Sequence, residues 1–342
     1  MSSSPEVYAA PTSLDILKLQ QIPRHSSMTC SSAIHQDYLL LGSDDGHLLI
    51  FSLRENKLLG KHRLHHQAIC SIELKSYETN EENEEEEGGE LFNIYTMTCS
   101  GIKMWSFSDL LQGLIQPIFT MNPSSFVDDY NVHGEYITSS VLVDTTLYIG
   151  FDNGYIYGID VNTSKLVYTA CCNDSVLCFT NGSQDTMYVG CRDGTVHQFD
   201  YELKVKNVFK PFVTSENIPV SSLSLDSFGN WLICASIESR VLILISTTSI
   251  ADNSFEPSKI IVSGKTNHVQ FLSESIVSYS VNTIYYWNRD GTLQFKMTTN
   301  LAYITGMTCL NDGTLFVHGV NPSHQTCLLI IKKKQLMHTT II

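Results

Sequence analysis

The sequence predicts an all-β protein, a seven-bladed β-propeller with a short N-terminal helix and surface insertions. Two observations predict this class. A motif of two short apolar strands joined by a polar turn returns seven times along the 342 residues, and its spacing is typical of a four-stranded propeller blade. The composition agrees, because a chain with 16 tyrosines and 15 phenylalanines is rich in side chains that strands favour.

The first predicted element is an N-terminal segment, residues 1–25. Within it, TSLDILKLQQI (12–22) is typical of a short helix that begins after Thr12 or Ser13 as N-cap. Leu14 and Leu17 lie near one face of that helix. We expect the face to pack on the propeller or on a partner, so both leucines are candidate partner-surface residues.

The propeller itself is predicted over residues 26–342 as a single domain. Three copies of the motif carry the clearest turns, because Asp-Gly and Asn-Gly tolerate the positive φ of a tight hairpin. These copies are YLLLGSDDGHLLIFSL (38–53), LYIGFDNGYIYGIDV (147–161) and MYVGCRDGTVHQFDY (187–201). Their predicted turn residues are Asp45, Gly46, Asn153, Gly154, Asp193 and Gly194. Weaker copies cover 94–107, 231–246, 275–291 and 314–331.

The spacing of the copies predicts the blade count. Successive bulky residues near the end of the second strand are separated by 54, 54, 40, 45, 43 and 43 residues. Four of these intervals match a propeller blade of about 40–45 residues. The residues compared are Phe51, Trp105, Ile159, Phe199, Leu244, Trp287 and Ile330. Phe51, Trp105, Phe199 and Trp287 are the predicted blade-core residues.

Two insertions account for the long intervals. The segment 78–90 holds eight glutamates, more than half of the net charge of −14, and predicts a disordered acidic surface loop rather than a docking site for a basic partner. The segment 106–134 contains the helix-like SDLLQG (108–113) close to its start. Its residues Asp109, Leu110 and Leu111 are further candidates for a partner surface.

The last blade needs a fourth strand. The C-terminal run QLMHTTII (335–342) is apolar enough to provide it, so the sequence predicts a ring that closes without the N-terminus. The preceding cluster Lys332–Lys334 is most simply a solvated turn between the two final strands.

Reactive constellations are missing from the sequence. The ten cysteines are scattered without a CxxC pair, which favours reduced, buried thiols over disulfides or zinc ligands. His62, His65 and His66 have no carboxylate or cysteine at ligand spacing. An enzyme that used the axial funnel would need convergent acids, and the turns offer only the scattered Asp45, Asp152 and Asp193. We therefore expect no catalytic residue, metal or cofactor.

Because targeting signals are lacking, the sequence predicts a soluble intracellular protein. The first residues lack a secretory signal, and no apolar run reaches the length of a membrane span. The tryptophans of SGIKMWSF and YYWNRDG could stack on RNA bases, but both lie in apolar runs that favour core packing. The acidic charge also disfavours direct phosphate-backbone binding.

The repeats resemble degenerate WD40 units. The Trp-Asp pair of that family is reduced to Ile159-Asp160 and Phe199-Asp200, and Trp105 and Trp287 keep the ring without the acid. His65 is the best match to the histidine of the buried WD40 hydrogen-bond network. The resemblance implies a propeller whose blades depend mainly on packing.

The order of features over about 28–331 is also similar to the subunit 6 family of the THO complex, most specifically in IKMWSFSDLLQG (102–113). That resemblance implies a non-catalytic subunit of the nuclear THO/TREX assembly, which packages and exports messenger RNA, with nuclear speckles as one location. It implies other THO/TREX subunits as partners, RNA contact only through the complex, and no membrane or small-molecule substrate. The alternative is a substrate receptor of a cullin-type ubiquitin ligase or another WD40 adaptor, although the WDxR signature of such receptors is missing.

Overall fold

The computed structural model describes residues 14–21, 28–77, 92–122, 136–182, 185–214, 216–252, 257–262, 264–272, 275–310 and 312–333. These residues form seven four-stranded antiparallel sheets and two short helices. The first strands of adjacent sheets contact one another all the way round, so the sheets are the blades of a closed seven-bladed β-propeller. The predicted fold class is confirmed.

The first strand in the chain, β1 (Leu14–Gln21), belongs to the last blade. Blade 1 contains β2 (Thr29–His35), β3 (Tyr38–Ser43), β4 (His47–Ser52) and β5 (Lys57–Arg63). Blade 2 contains β6 (Ser71–Ser76), β7 (Phe92–Thr98), β8 (Gly101–Ser106), the helix α1 (Phe107–Leu111) and β9 (Phe119–Met121). Blade 3 contains β10 (Ile137–Val143), β11 (Thr146–Phe151), β12 (Tyr155–Asp160) and β13 (Lys165–Cys171).

The remaining blades repeat the same meander. Blade 4 contains β14 (Val176–Asn181), β15 (Thr186–Cys191), β16 (Val196–Asp200) and β17 (Val205–Phe209). Blade 5 contains β18 (Ser222–Leu225), β19 (Trp231–Ala235), β20 (Val241–Ser246), the helix α2 (Thr247–Ala251) and β21 (Ser258–Ile261). Blade 6 contains β22 (His268–Leu272), β23 (Ser275–Ser280), β24 (Thr283–Asn288) and β25 (Leu293–Thr298). Blade 7 contains β26 (Tyr303–Cys309), β27 (Leu315–Val320), β28 (Thr326–Lys333) and β1.

The hydrophobic core lies between the blades. Each second strand is covered by a neighbouring blade on both faces, so β7, β15, β23 and β27 are buried along their whole length. Outer strands such as β13 instead alternate exposed and partly covered residues. Leu41 of blade 1 and Phe316 of blade 7 share one apolar cluster, which seals the ring where the chain begins and ends. Most of the buried apolar surface therefore lies at the contacts between adjacent blades.

The N-terminal segment contradicts the helix prediction, because residues 14–21 form β1. This strand pairs antiparallel with β28, from Leu14 opposite Lys333 to Gln21 opposite Cys327. The physical reason is the open edge of β28, whose unpaired backbone groups gain a full ladder from an added strand. The prediction that the ring closes without the N-terminus is also wrong, since β1 is the fourth strand of blade 7. Residues 335–342 lie outside the described residues.

The predicted insertion at 106–134 is partly a regular blade element. Its helix α1 is present, and the Ser106 hydroxyl caps it by accepting a hydrogen bond from the Asp109 N–H at 3.2 Å. The following strand β9 pairs with β8 and completes blade 2. Of the two predicted insertions, residues 123–134 and the whole acidic segment 78–90 lie outside the described residues. In the described part of the chain, neither helix is long and apolar enough to cross a membrane.

Candidate functional site

The first strands of the blades converge on an axial channel, which brings side chains of different blades together. It encloses about 540 Å³. Its wall is rich in hydroxyl, thiol and imidazole groups rather than carboxylates. The polar lining includes Ser31, Ser71, Glu73, Thr138, Cys178, Ser222, His268, Thr305 and His318.

Both channel histidines join neighbouring blades. The His318 Nδ1 of blade 7 lies 2.8 Å from the Thr29 hydroxyl of blade 1 and 3.0 Å from the Thr305 hydroxyl. The His268 Nδ1 of blade 6 lies 3.1 Å from the Ser222 hydroxyl of blade 5. Burial lowers the pKa of His318 to about 3 and that of His268 to about 4, so both imidazoles are neutral at neutral pH. They act as hydrogen-bonded links between blades.

Glu73 is the single carboxylate among the described residues that line the channel. The Ser140 hydroxyl of blade 3 donates to Oε1 at 2.9 Å, and the Leu142 N–H donates to Oε2 at 3.3 Å. Burial raises the pKa of Glu73 to about 7, and these donors oppose the rise. A lone carboxyl engaged by the adjacent blade does not provide the paired acid and base of a hydrolytic site.

The raised pKa of Glu73 predicts a pH-dependent stability. The folded chain binds the Glu73 proton more tightly than the unfolded chain, where the pKa is near 4.5. Its contribution is therefore fully present below pH 4.5 and is lost as the pH rises through about 7. We expect Glu73→Gln to be more stable than the parent at pH 8, by on the order of 2 kcal/mol, and to match it more closely at pH 5. Urea unfolding at both pH values measures this.

A control separates this effect from a general loss of charge. Glu238 lies exposed in the turn between β19 and β20. Glu238→Gln should leave the difference between the two pH values unchanged. An equal pH dependence in the parent and in Glu73→Gln would contradict the assignment of the titration to Glu73.

The predicted turn residues lie at the hairpins between the second and third strands of blades 1, 3 and 4. Gly46, Gly154 and Gly194 have φ of +84°, +90° and +81°. A Cβ on Gly46 would lie 2.3 Å from the His65 carbonyl oxygen, so the position needs glycine for space as well as for φ. The preceding residues Asp45, Asn153 and Asp193 accept hydrogen bonds within their own turns. Asp152 accepts one from the Tyr136 N–H at 2.8 Å. The acids considered for a funnel enzyme thus serve turns of three separate blades.

The predicted blade-core residues are all buried. Phe51, Trp105, Phe199 and Trp287 are between 0% and 4% exposed. The Trp105 indole N–H donates to the Thr96 hydroxyl at 2.8 Å, and the His65 Nε2 lies 2.7 Å from the same oxygen. Burial, with a contribution from Lys103, lowers the pKa of His65 to about 4. Blade 2 thus has a His–Thr–Trp network of the WD40 kind.

The same pairing is reduced in blade 6. There the Trp287 indole N–H donates to the Ser278 hydroxyl at 3.1 Å. The other two histidines considered as metal ligands take no part in either network. His62 is buried beside Gly60, and His66 is exposed.

No family model matches this chain, and no curated protein matches it significantly.

The candidate partner surface around α1 divides into buried and exposed residues. Leu110 is only 1% exposed and packs in the core between blades 1 and 2, so its assignment to a surface is wrong. The amphipathic helix turns this residue inward together with Phe107. Asp109 is half-buried, and Leu111 is 43% exposed. Leu14 and Leu17 belong to β1, which is the outermost strand of blade 7.

Three further apolar residues were missed by the sequence reasoning. Leu114, Ile115 and Ile118 follow α1 and are 55%, 49% and 54% exposed. We call the set of Leu111, Leu114, Ile115 and Ile118 the apolar ledge. The signal was present in the sequence as the run LIQPI, which is too apolar for a loop yet is broken by Pro117.

A second feature missed from the sequence is a group of three potential metal ligands. Cys172, Cys191 and His197 are all buried, and their ligand atoms lie within 4.8 Å of one another. The available signal was the C-x5-H spacing of Cys191 and His197 around one hairpin turn. The predicted histidine run does not form such a group among the residues that the structure describes.

Proposed function

We propose that this WD40-like propeller is a non-catalytic interaction scaffold and a subunit of the nuclear THO/TREX complex, acting in mRNP packaging and mRNA export. Its partners would be the other THO/TREX subunits, and it would reach RNA only through them. The observation that carries the proposal is the apolar ledge, which lies in and directly after the stretch 102–113 that most resembles the subunit 6 family.

The ledge has the properties of a docking surface. Four large apolar side chains, all at least 43% exposed, occupy one segment of eight residues. Isolated exposed leucines are ordinary on protein surfaces, but a concentration of them is typical of an interaction site. Burying such side chains in a partner is favourable by about 1.5–3 kcal/mol each.

The backbone of the ledge is fixed before any partner binds. The Leu114 N–H donates to the Asp109 carbonyl at 2.8 Å, and the Ile118 N–H donates to the Met104 carbonyl at 2.8 Å. Phe107 and Leu110 anchor α1 in the core beneath it. A surface held in this way loses little conformational entropy on association, which favours a stable contact.

The charge of the chain supports an indirect role in RNA binding. A net charge of −14 disfavours the phosphate contacts that dominate nucleic-acid affinity. The blade tryptophans that could have stacked on bases, Trp105 and Trp287, are buried. Nuclear location, including nuclear speckles, follows from the proposed complex.

Affinity capture of the tagged full chain from nuclei tests the proposal. The parent chain should recover the other THO subunits. The double variant Leu114→Asp/Ile118→Asp should recover at least about tenfold less of them, because a central apolar contact is typically worth more than 1.4 kcal/mol.

The matched control places the same change on another blade. Val205 and Val208 on the outer strand β17 are 55% and 49% exposed, so Val205→Asp/Val208→Asp alters a similar amount of surface. It should recover THO subunits at the parental level. Recovery of a cullin adaptor by the parent would overturn the proposal in favour of a ubiquitin-ligase receptor. Equal recovery of THO subunits by the parent and both double variants would show that the apolar ledge does not bind them.

A further inference from the structure

Cys172, Cys191 and His197 lie at the contact between blades 3 and 4. Cys172 directly follows the outer strand β13 of blade 3, and its N–H donates to the Gly154 carbonyl at 2.9 Å. Cys191 ends β15, and its N–H donates to the Thr195 carbonyl at 2.9 Å. His197 lies on β16. Two hairpin turns therefore hold the three side chains in place, and the blade-to-blade apolar cluster encloses the cysteines.

The hydrogen bonds around His197 determine which ring nitrogen is free. The Thr195 hydroxyl donates to the Asp193 carboxylate at 2.6 Å, so its oxygen is left to accept a proton from the His197 Nε2–H at 3.2 Å. The Nδ1 then carries a lone pair. The His197 side chain is only 5% exposed, and its Nδ1 is buried without a hydrogen-bond partner.

An imidazole held in this way is prepared for a metal. Metal-bound histidines usually donate their second ring nitrogen to an oxygen acceptor, which fixes the tautomer and the orientation of the ring. Here the acceptor is Thr195, with Asp193 behind it. Phe199 stacks on the ring at 5.8 Å with an interplanar angle of 10°, which restricts the ring further.

We propose that Cys172, Cys191 and the Nδ1 of His197 bind one Zn²⁺ ion, which joins blade 3 to blade 4. Two sulfurs and one imidazole nitrogen are the donors that zinc prefers, and they do not suit Mg²⁺ or Ca²⁺. Each thiol releases one proton to solvent on binding. Two thiolates neutralise the charge of the ion, whereas Cu⁺ would leave a net negative charge in a buried place. A water molecule completes the fourth position.

Metal analysis of the purified full chain tests the proposal. After dialysis against trace zinc, the parent should retain about one Zn²⁺ per chain. Cys172→Ser, Cys191→Ser and His197→Gln should each lower the retained zinc at least about tenfold. Cys171→Ser is the matched control, because this neighbouring cysteine is exposed and lies outside the group. It should keep the parental zinc content.

A measurement on the parent keeps the test decisive even if a variant fails to fold. Replacement of zinc by Co²⁺ should give thiolate-to-cobalt charge-transfer bands together with intense visible bands of a four-coordinate site. X-ray absorption of the zinc form should show sulfur at about 2.3 Å and nitrogen at about 2.0 Å. A folded parent that retains no zinc and gives no cobalt bands would overturn the proposal. So would a Cys172–Cys191 disulfide found in its place by peptide mapping without reductant.

Discussion

Deletion of residues 1–21 is expected to destabilise the whole propeller, by about 4 kcal/mol or more, and to cause aggregation. The deletion removes β1, which pairs with β28 along the full length from Leu14 to Gln21. Each hydrogen bond lost contributes about 1 kcal/mol net, and small folded domains have only about 5–15 kcal/mol in total. The exposed edge of β28 would also become a template for association with other chains.

A shorter deletion provides the control for this result. Removal of residues 1–12 leaves β1 whole and should not change the unfolding temperature. Scanning calorimetry and size-exclusion chromatography compare the two deletions with the parent. Equal unfolding temperatures for all three chains would contradict the closure of the ring by β1.

Trp105→Ala is expected to cost about 3–5 kcal/mol, the range for removing a large aromatic side chain from a core. Trp105 is 2% exposed and packs between blades 1 and 2. The substitution also removes the indole donor of the Thr96 hydroxyl and leaves His65 as its remaining ring partner. Trp105→Phe should cost less, since it keeps most of the apolar volume. Urea unfolding followed by circular dichroism measures both.

Trp231 offers a matched control for the loss of a tryptophan. It lies on β19 and is 37% exposed, so Trp231→Ala should cost no more than about 1 kcal/mol. Similar losses for Trp105→Ala and Trp231→Ala would show that the blade 2 network does not contribute as described.

The parts of the fold that the sequence predicts well are those set by local chemistry. The Asp-Gly and Asn-Gly turns require positive φ, and Gly46, Gly154 and Gly194 adopt it. The bulky residues near the end of each motif then indicate the number of blades, because four of their six intervals are 40–45 residues long.

The N-terminal strand was not predicted because a β-bulge interrupts the two-residue alternation of its apolar residues. The register shifts between Ile16 and Lys18, which leaves Leu17 as an extra residue. As a result Leu14, Ile16 and Leu19 oppose alternate residues of β28 although their spacing is uneven. Uneven spacing of this kind resembles the period of a helix. Only the open edge of β28, a tertiary feature, resolves the ambiguity.

The candidate sites depend on contacts that sequence spacing does not contain. Leu110 turns inward because Phe107 of the same helix stacks on Phe92, with ring centroids 4.1 Å apart, and Phe92 lies on an earlier strand of the same blade. Cys172 meets Cys191 and His197 because two consecutive blades pack face to face. A search for paired cysteines within one segment does not find ligands that come from two blades.

Hydrogen exchange of the β1 amides tests most directly whether the N-terminus closes the seven-bladed ring that all the proposed surfaces require. Since β1 is an outer strand, about half of the amides in 14–21 should be paired with β28 and should exchange only when the whole propeller unfolds. The same slow rate is expected for the amides of β28. Exchange of every amide in 14–21 at the rate of a free peptide, with β28 still protected, would contradict the account.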